Sequence, residues 1–205
     1  VQLFGSNPEV MAQAAVLVGE AGADIIDINM GCSVKKVAKS GSGAALLKDL
    51  NKAERLIKAV RKATPLPLTI KIRSGWKEGE PTYRTLAQIA EESGVDALVI
   101  HPRYAVQGFS GQADWLVVRE LKEWMRIPVM GSGDITSPTQ ALDLKTQTHC
   151  DGIMIGRQAL RTPWIFKQIK EMEAGGPPTH PETEERRGWL ISYWQWIEEN
   201  YQGSA

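Results

Sequence analysis

The chain has 205 residues, of which 42% are hydrophobic and 23% charged, with 24 basic residues balancing 24 acidic ones. Such a composition suits a globular domain with a sizeable core, a net charge of zero excludes a strongly basic nucleic-acid binder, and no apolar run reaches membrane-spanning length. Cys32 and Cys150 have no metal-ligand spacing and no secretory leader is recognisable, so the expectation is a reduced cytoplasmic protein with no metal site and no membrane association.

In chain order, a short apolar, β-rich run alternates with a polar loop and a longer segment of helical period. Strands are expected at residues 1–4, 24–29, 66–72, 96–101, 127–130 and 151–155, and they read as apolar on both faces, as buried parallel strands do. Val1 falls in what reads as the middle of the first strand, so a missing start is expected. Asn7-Pro8 opens the first helix and Gly22 closes it. The second covers residues 51–63, with Ala53, Leu56, Ile57 and Val60 on one face, and the third 82–93, closed by Gly94. Segments 113–125, 137–146 and 163–173 complete the series. Gly175-Gly176-Pro177-Pro178 then breaks the pattern. Beyond it, 182–201 is purely helical, with Trp189, Tyr193, Trp194, Ile197 and Tyr201 at helical spacing. This is either the start of a second, all-helical domain or a terminal helix folded back on the first.

Alternating β and α segments mean a parallel sheet with helices outside. Six such units could form a doubly wound open sheet, but no G-x-G-x-x-G turn follows any strand. Instead, polar or glycine clusters end nearly every strand: Asn29-Met30-Gly31-Cys32, Lys71-Ile72-Arg73, His101-Pro102-Arg103, Gly131-Ser132-Gly133-Asp134 and Gly156-Arg157. Chemistry at many C-terminal strand ends is the habit of the TIM barrel. The fold expected is therefore α/β, a (β/α)8 TIM barrel lacking its first two strand–helix units, over residues 1–174. A linker and the first part of a helical domain follow over 175–205.

Glycines after the last two strands let backbone N–H groups approach phosphate oxygens, and Arg157 adds a charged fork, so Ser132, Gly133, Asp134, Gly156 and Arg157 point to a phosphate site. Lys71 and Arg73, two apart on one strand, share a face, and so do His101 and Arg103 on the next. Two cations near a buried strand end, with no carboxylate beside them in sequence, call for an anion. Cys32 lies just past its strand, before a Lys-, Ser- and Gly-rich stretch, 34–43, that reads as a mobile lid. Ordinary thiols are protonated at neutral pH, so a cysteine placed there can act as a general acid. Between Lys35 and Lys62 there are nine basic residues against two acidic ones, either a local patch for a phosphate backbone or a set of solvated helix charges.

The segment Asp27-Ile-Asn-Met-Gly-Cys32-Ser-Val-Lys-Lys-Val37 resembles the catalytic-cysteine motif of tRNA-dihydrouridine synthases. So do Gly41-Ser-Gly-Ala-Ala-Leu-Leu47, Leu68-Thr-Ile-Lys71-Ile-Arg-Ser-Gly-Trp76, Ile100-His101-Pro-Arg103, Gly133-Asp134-Ile135 and Ile155-Gly156-Arg157 with Pro163-Trp164-Ile165-Phe166, in matching order and spacing. The resemblance is to the bacterial branch with paired lysines in the cysteine loop. It implies an FMN-dependent oxidoreductase, reduced by NADPH, that converts uridine in tRNA to 5,6-dihydrouridine with Cys32 as proton donor. It implies FMN contacts at Gln2, Lys71, His101, Ser132, Gly133, Asp134, Gly156 and Arg157. RNA or uracil contacts are implied at Asn29, Lys35, Lys36, Arg73 and Arg103. It also implies a C-terminal tRNA-binding helical domain and a monomer at full length. Ser33 and Ser132 stand where the family usually has proline and asparagine, and the family's first-strand Pro-Met-Ala loop is absent. Two alternatives remain at this level: a non-catalytic RNA-binding remnant of the same fold, and a flavin-dependent barrel dehydrogenase acting on free pyrimidines.

Overall fold

The strand Ile26–Asn29 (β2) alternates apolar and polar side chains, and that alternation organises the sheet. The computed structural model describes residues 1–201. Around β2 lie β1 (Gln2–Leu3), β3 (Leu68–Gly75), β4 (Ala97–Tyr104), β5 (Val129–Ser132) and β6 (Gly152–Met154), paired in sequence order and parallel throughout. Helices follow the strands: α1 (Pro8–Glu20), α2 (Lys35–Lys39), a 3-10 turn (Gly43–Lys48), α3 (Leu50–Ala63), α4 (Tyr83–Glu92), α5 (Trp115–Trp124), α6 (Pro138–Thr148), α7 (Arg157–Arg161), α8 (Ile165–Glu173) and α9 (Thr183–Asn200). This is the partial barrel expected from the sequence.

The helices are built as their caps and periods dictate. The Asn7 side chain accepts from the Val10 N–H with Pro8 at the helix entry, and Ser137 repeats that device before Pro138. Ala53, Leu56, Ile57 and Val60 of α3 are all fully buried against the sheet. Truncating Leu56 to alanine would cost about 2–5 kcal/mol.

One expectation is corrected. The strands are not apolar on both faces. Ile26, Ile28, Leu68, Ile70, Ile72, Leu98, Ile100 and Val129 have no exposed surface and pack among the helix residues. The opposite face carries Gln2, Asp27, Asn29, Thr69, Lys71, Arg73 and His101, as the register Gln2↔Asp27↔Thr69, Asn29↔Lys71 and Arg73↔His101 requires. The face turned away from the helices is thus largely polar on β1 to β3. The Lys-, Ser- and Gly-rich stretch after Cys32 carries short helical segments. It forms α2 and the 3-10 turn, because Ala44, Leu46 and Leu47 are drawn into the core and the Ala44 N–H bonds to the Cys32 carbonyl at 2.9 Å.

α9 has no buried residue. Its contact with the sheet domain runs through Trp189, whose ring lies 6.0 Å from that of Trp164, and through Arg186, 5.1 Å from the same ring. Among the described residues, no helix is long and apolar enough to cross a membrane, and no group of His, Cys, Asp and Glu could hold a metal.

Candidate functional site

β3 and β4 run three residues further than the sequence suggests, pairing Arg73 with His101 and, after a bulge, Gly75 with Tyr104. This extension carries two arginines into the interior. Arg73 is 6% exposed; its Nε donates to the Gly31 carbonyl at 2.8 Å, and a terminal nitrogen reaches the carbonyls of Tyr104 and Gly108 at 3.2 and 3.3 Å. Arg103 is 2% exposed and donates to the Gly111 carbonyl at 2.8 Å and to both Asp134 carboxylate oxygens at 2.7 Å. The expectation that these two guanidinium groups present themselves to RNA is corrected: both are buried and fasten loops that strand extension brought within reach.

Lys71 differs. Among the described residues it has no ion-pair or hydrogen-bond partner, and burial, reinforced by the neighbouring Arg73 charge, lowers its pKa from 10.5 to about 8 against partial opposition from Asp27 and Cys32. Such a cation is stabilised by an anion brought to it. His101 is pushed down to about 3 by burial first, then by Arg73, Lys71 and Arg103, with Asp134 opposing. The ring is therefore neutral. Its Nε2 lies 3.4 Å from Arg103 Nη1, and since a guanidinium only donates, Nε2 accepts and Nδ1 keeps the proton.

Lys71 and His101 line a cavity of ≈ 420 Å³ at the C-terminal ends of β3 to β6, together with Ser132, Gly133, Asp134, Gly156 and Arg157. Seven residues singled out from the sequence thus converge on one space. Gly133 adopts φ 126°, and a Cβ there would sit 3.0 Å from both Ala113 Cβ and the His101 ring, so the turn demands glycine. Around Gly156 nothing lies within 4 Å of a Cβ position, which leaves open space over its backbone. A larger cavity of ≈ 790 Å³, lined by Trp115, Arg119 and His149 among others, contains none of the residues identified from sequence.

Burial pushes the Asp134 carboxyl up, but the Ala113 N–H and the Arg103 guanidinium outweigh that and hold it below the usual range. The carboxylate so engaged braces the turn from which Gly133 and Ser132 face the cavity. Arg157, 3.7 Å from Asp134 and with a side chain 60% exposed, remains available.

Gln2 and Asn29, on the neighbouring strands, and Cys32, in the loop after β2, lie outside that cavity's lining. Asn29 pairs in register with Lys71, which joins the two regions. Its Oδ1 accepts from the N–H groups of Gly31 and Cys32 at 3.1 and 2.9 Å. Cys32 is a free, partly exposed thiol, and Lys35 and Lys36 are exposed on α2 just beyond it. Sequence reading missed Phe109, which lines the cavity with its ring 4.5 Å from the Arg157 guanidinium, and Asp27, bonded to Gln2 and Thr69. Phe109 lies in an irregular loop with no periodic signal; Asp27 was legible as the residue two before Asn29 on one strand face.

A family model described as dihydrouridine synthase (Dus) matches residues 1–203. A probable tRNA-dihydrouridine synthase of Rickettsia bellii is 38% identical over 206 residues, covering 100% of this chain and 63% of that protein. tRNA-dihydrouridine synthase B of Klebsiella pneumoniae is 45% identical over 173 residues, 83% of this chain and 53% of its own length. The chain therefore spans between about half and two thirds of these relatives. Among solved structures, D-glucarate dehydratase of Agrobacterium tumefaciens superposes with a TM-score of 0.60 at 18% identity, over 87% of this chain and 43% of that one. N-acetylneuraminate lyase of Mycoplasma synoviae gives 0.56 at 18%, over 81% and 54%. At that identity these two share the fold alone.

Proposed function

The chain belongs to the dihydrouridine synthase family, and from that premise we propose that it is the barrel portion of an FMN-dependent, NADPH-reduced enzyme that converts uridine in tRNA to 5,6-dihydrouridine. One observation carries the reading: Lys71, a partly buried cation with no ion-pair partner among the described residues, lines the anion-ready cavity and at the same time stands in register beside Asn29, which holds the Cys32 loop.

The residues fit a flavin mononucleotide. Lys71 has no direct ion-pair partner among the described residues, His101 offers a neutral Nδ1–H donor, and the Gly156 backbone is open beside the exposed Arg157 fork. FMN, when bound, supplies the hydride for C6 of the uracil after reduction by NADPH. Lys71 and His101 would hold polar atoms of the ring system, while Gly133, Gly156 and Arg157 would hold the phosphate end. Asn29 orients the Cys32 loop, and the Cys32 thiol gives its proton to C5. Lys35 and Lys36, exposed on α2, would meet the phosphate backbone of tRNA. A cytoplasmic location and a helical RNA-binding segment beginning at α9 belong to the same proposal.

The test separates two half-reactions in the full-length enzyme. Cys32→Ala leaves flavin binding and NADPH oxidation intact, and slows flavin reoxidation by tRNA by about 10²–10⁴-fold, as loss of a positioned acid does. Cys32→Ser is nearly as slow. Reoxidation by tRNA at the parent rate in Cys32→Ala would remove the thiol from the chemistry.

A further inference from the structure

Between β1 and the Cys32 loop runs a chain of side chains whose polarity is set from both ends. Asp27 accepts from the Thr69 hydroxyl at 2.7 Å on Oδ1 and from Gln2 Nε2 at 2.6 Å on Oδ2. Gln2 Oε1 in turn accepts from Asn29 Nδ2 at 3.0 Å. Asn29 Oδ1 accepts from the peptide N–H groups of Gly31 at 3.1 Å and Cys32 at 2.9 Å.

An amide side chain can be flipped without changing its shape, so its orientation has to be dictated by neighbours. Here both ends dictate it. An ionised carboxylate only accepts, so Gln2 turns its NH₂ to Asp27 and its oxygen to Asn29. Peptide N–H groups only donate, so Asn29 turns its oxygen to the loop and its NH₂ to Gln2. The two requirements agree, and flipping either amide would set N–H against N–H or oxygen against oxygen. The same loop is fastened from its other side, by the Ala44 N–H on the Cys32 carbonyl at 2.9 Å and by Arg73 Nε on the Gly31 carbonyl at 2.8 Å. Thr69 and Asp27 lie on the face of the sheet turned away from the helices, so helix packing does not account for their identity.

We propose that Asp27 is a positioning residue for Cys32, acting through the ordered amide relay Asp27–Gln2–Asn29 that holds the Gly31 and Cys32 peptide N–H groups. The proposal rests on the reading of Cys32 as proton donor for its catalytic consequence, but the relay itself is a property of these side chains. Each amide keeps one N–H outside the relay, so Gln2 and Asn29 remain able to donate to a ligand while their orientation is fixed.

The experiment compares Asp27→Leu with Asp27→Asn in the full-length, flavin-loaded enzyme. Asparagine can keep an oxygen toward Gln2 while its NH₂ meets the Thr69 hydroxyl, so it preserves the relay; leucine removes the anchor. Asp27→Leu is expected to slow flavin reoxidation by tRNA by about tenfold or more, the scale of a misplaced reacting group. Reduction by NADPH should stay within about twofold, and Asp27→Asn within about threefold in both steps. The ¹H–¹⁵N signals of Gly31 and Cys32 should move in Asp27→Leu and stay in Asp27→Asn. Equal slowing of both half-reactions, or unmoved amide signals in Asp27→Leu, overturns the proposal. Should Asp27→Leu fail to fold, Gln2→Met breaks the middle link from an exposed position; because Gln2 is itself a candidate flavin contact, only the Gly31 and Cys32 amide signals are read there, and signals that stay unmoved overturn the proposal. If Cys32→Ala has already shown the thiol to be dispensable, the function reading has failed, and the amide signals alone decide on the relay.

Discussion

One terminal nitrogen of Arg103 lies 2.7 Å from both carboxylate oxygens of Asp134, behind the wall of the cavity. Asp134 also adopts φ 54°, a left-handed backbone rare outside glycine, and accepts the Ala113 N–H at 2.7 Å. The pair thus ties β4, the loop before α5 and the turn after β5 into one unit. Arg103→Met would leave the Asp134 carboxylate facing an apolar wall and cost on the order of 3 kcal/mol, as removing one partner of a buried pair does. The double variant Arg103→Met/Asp134→Asn should recover part of that loss. Urea denaturation of the parent, the two single variants and the double variant checks it, and simple additivity would show the two residues to be uncoupled.

Lys71 should show opposite effects on stability and on binding. Its pKa in the folded chain, about 8, lies below the ordinary 10.5, so the unfolded chain binds more protons between those values and stability rises with pH across that window. Below about pH 8 the partly buried charge, without an ion-pair partner among the described residues, is a net cost. Lys71→Met is therefore expected to raise the melting temperature of the flavin-free protein at pH 7 by a few degrees, corresponding to about 1 kcal/mol. The same change weakens retention of FMN by about 1.5–3 kcal/mol, the loss of a charge-assisted bond. Calorimetry and flavin loss on dilution measure the two; a lower melting temperature in Lys71→Met would mean that the lysine is paired in solution.

His101 gives an acid-side signature. Folded, it titrates at about 3 rather than 6.5. The unfolded chain therefore takes up the proton first, and the contribution of the neutral ring is present above about pH 6.5 and is lost as pH falls toward 3. His101→Gln, which cannot titrate, should lack this part of the slope. Unfolding free energies of the two proteins between pH 7 and pH 4 test it; parallel curves would place His101 at an ordinary pKa.

Gly43 is required by the cysteine loop. At φ 60°, a Cβ on it would lie 2.7 Å from the Cys32 carbonyl oxygen and 3.0 Å from Val37 Cγ1, and the backbone oxygen has little room to yield because Ala44 holds it. Gly43→Ala should cost about 1–3 kcal/mol and change the rate at which iodoacetamide alkylates Cys32. An unchanged alkylation rate alongside reduced stability would show that the strain is absorbed elsewhere.

Local pattern carried a great deal about this chain. The alternation of β-rich and helical segments placed all six strands, and α3 buries the four residues its period predicted. Strand ends marked by Lys71, His101, Gly133 and Gly156 converge on one cavity because parallel strands in sequence order bring equivalent ends together, and that follows from topology alone. The motif around Cys32 was enough to point to the family.

What the sequence could not decide was which charges are spent inside the protein and which remain available. Lys71 and Arg73 stand two residues apart and look alike in sequence, yet Arg73 is bound to a carbonyl 42 residues away while Lys71 is unpaired. Arg103 meets Asp134 across 31 residues, and Phe109 meets Arg157 from an irregular loop. Periodicity reports neighbours at fixed short spacings. The partner of a buried charge is set by where two distant loops close, and by the desolvation cost that favours acceptors around an enclosed guanidinium; both arise only once the sheet has assembled.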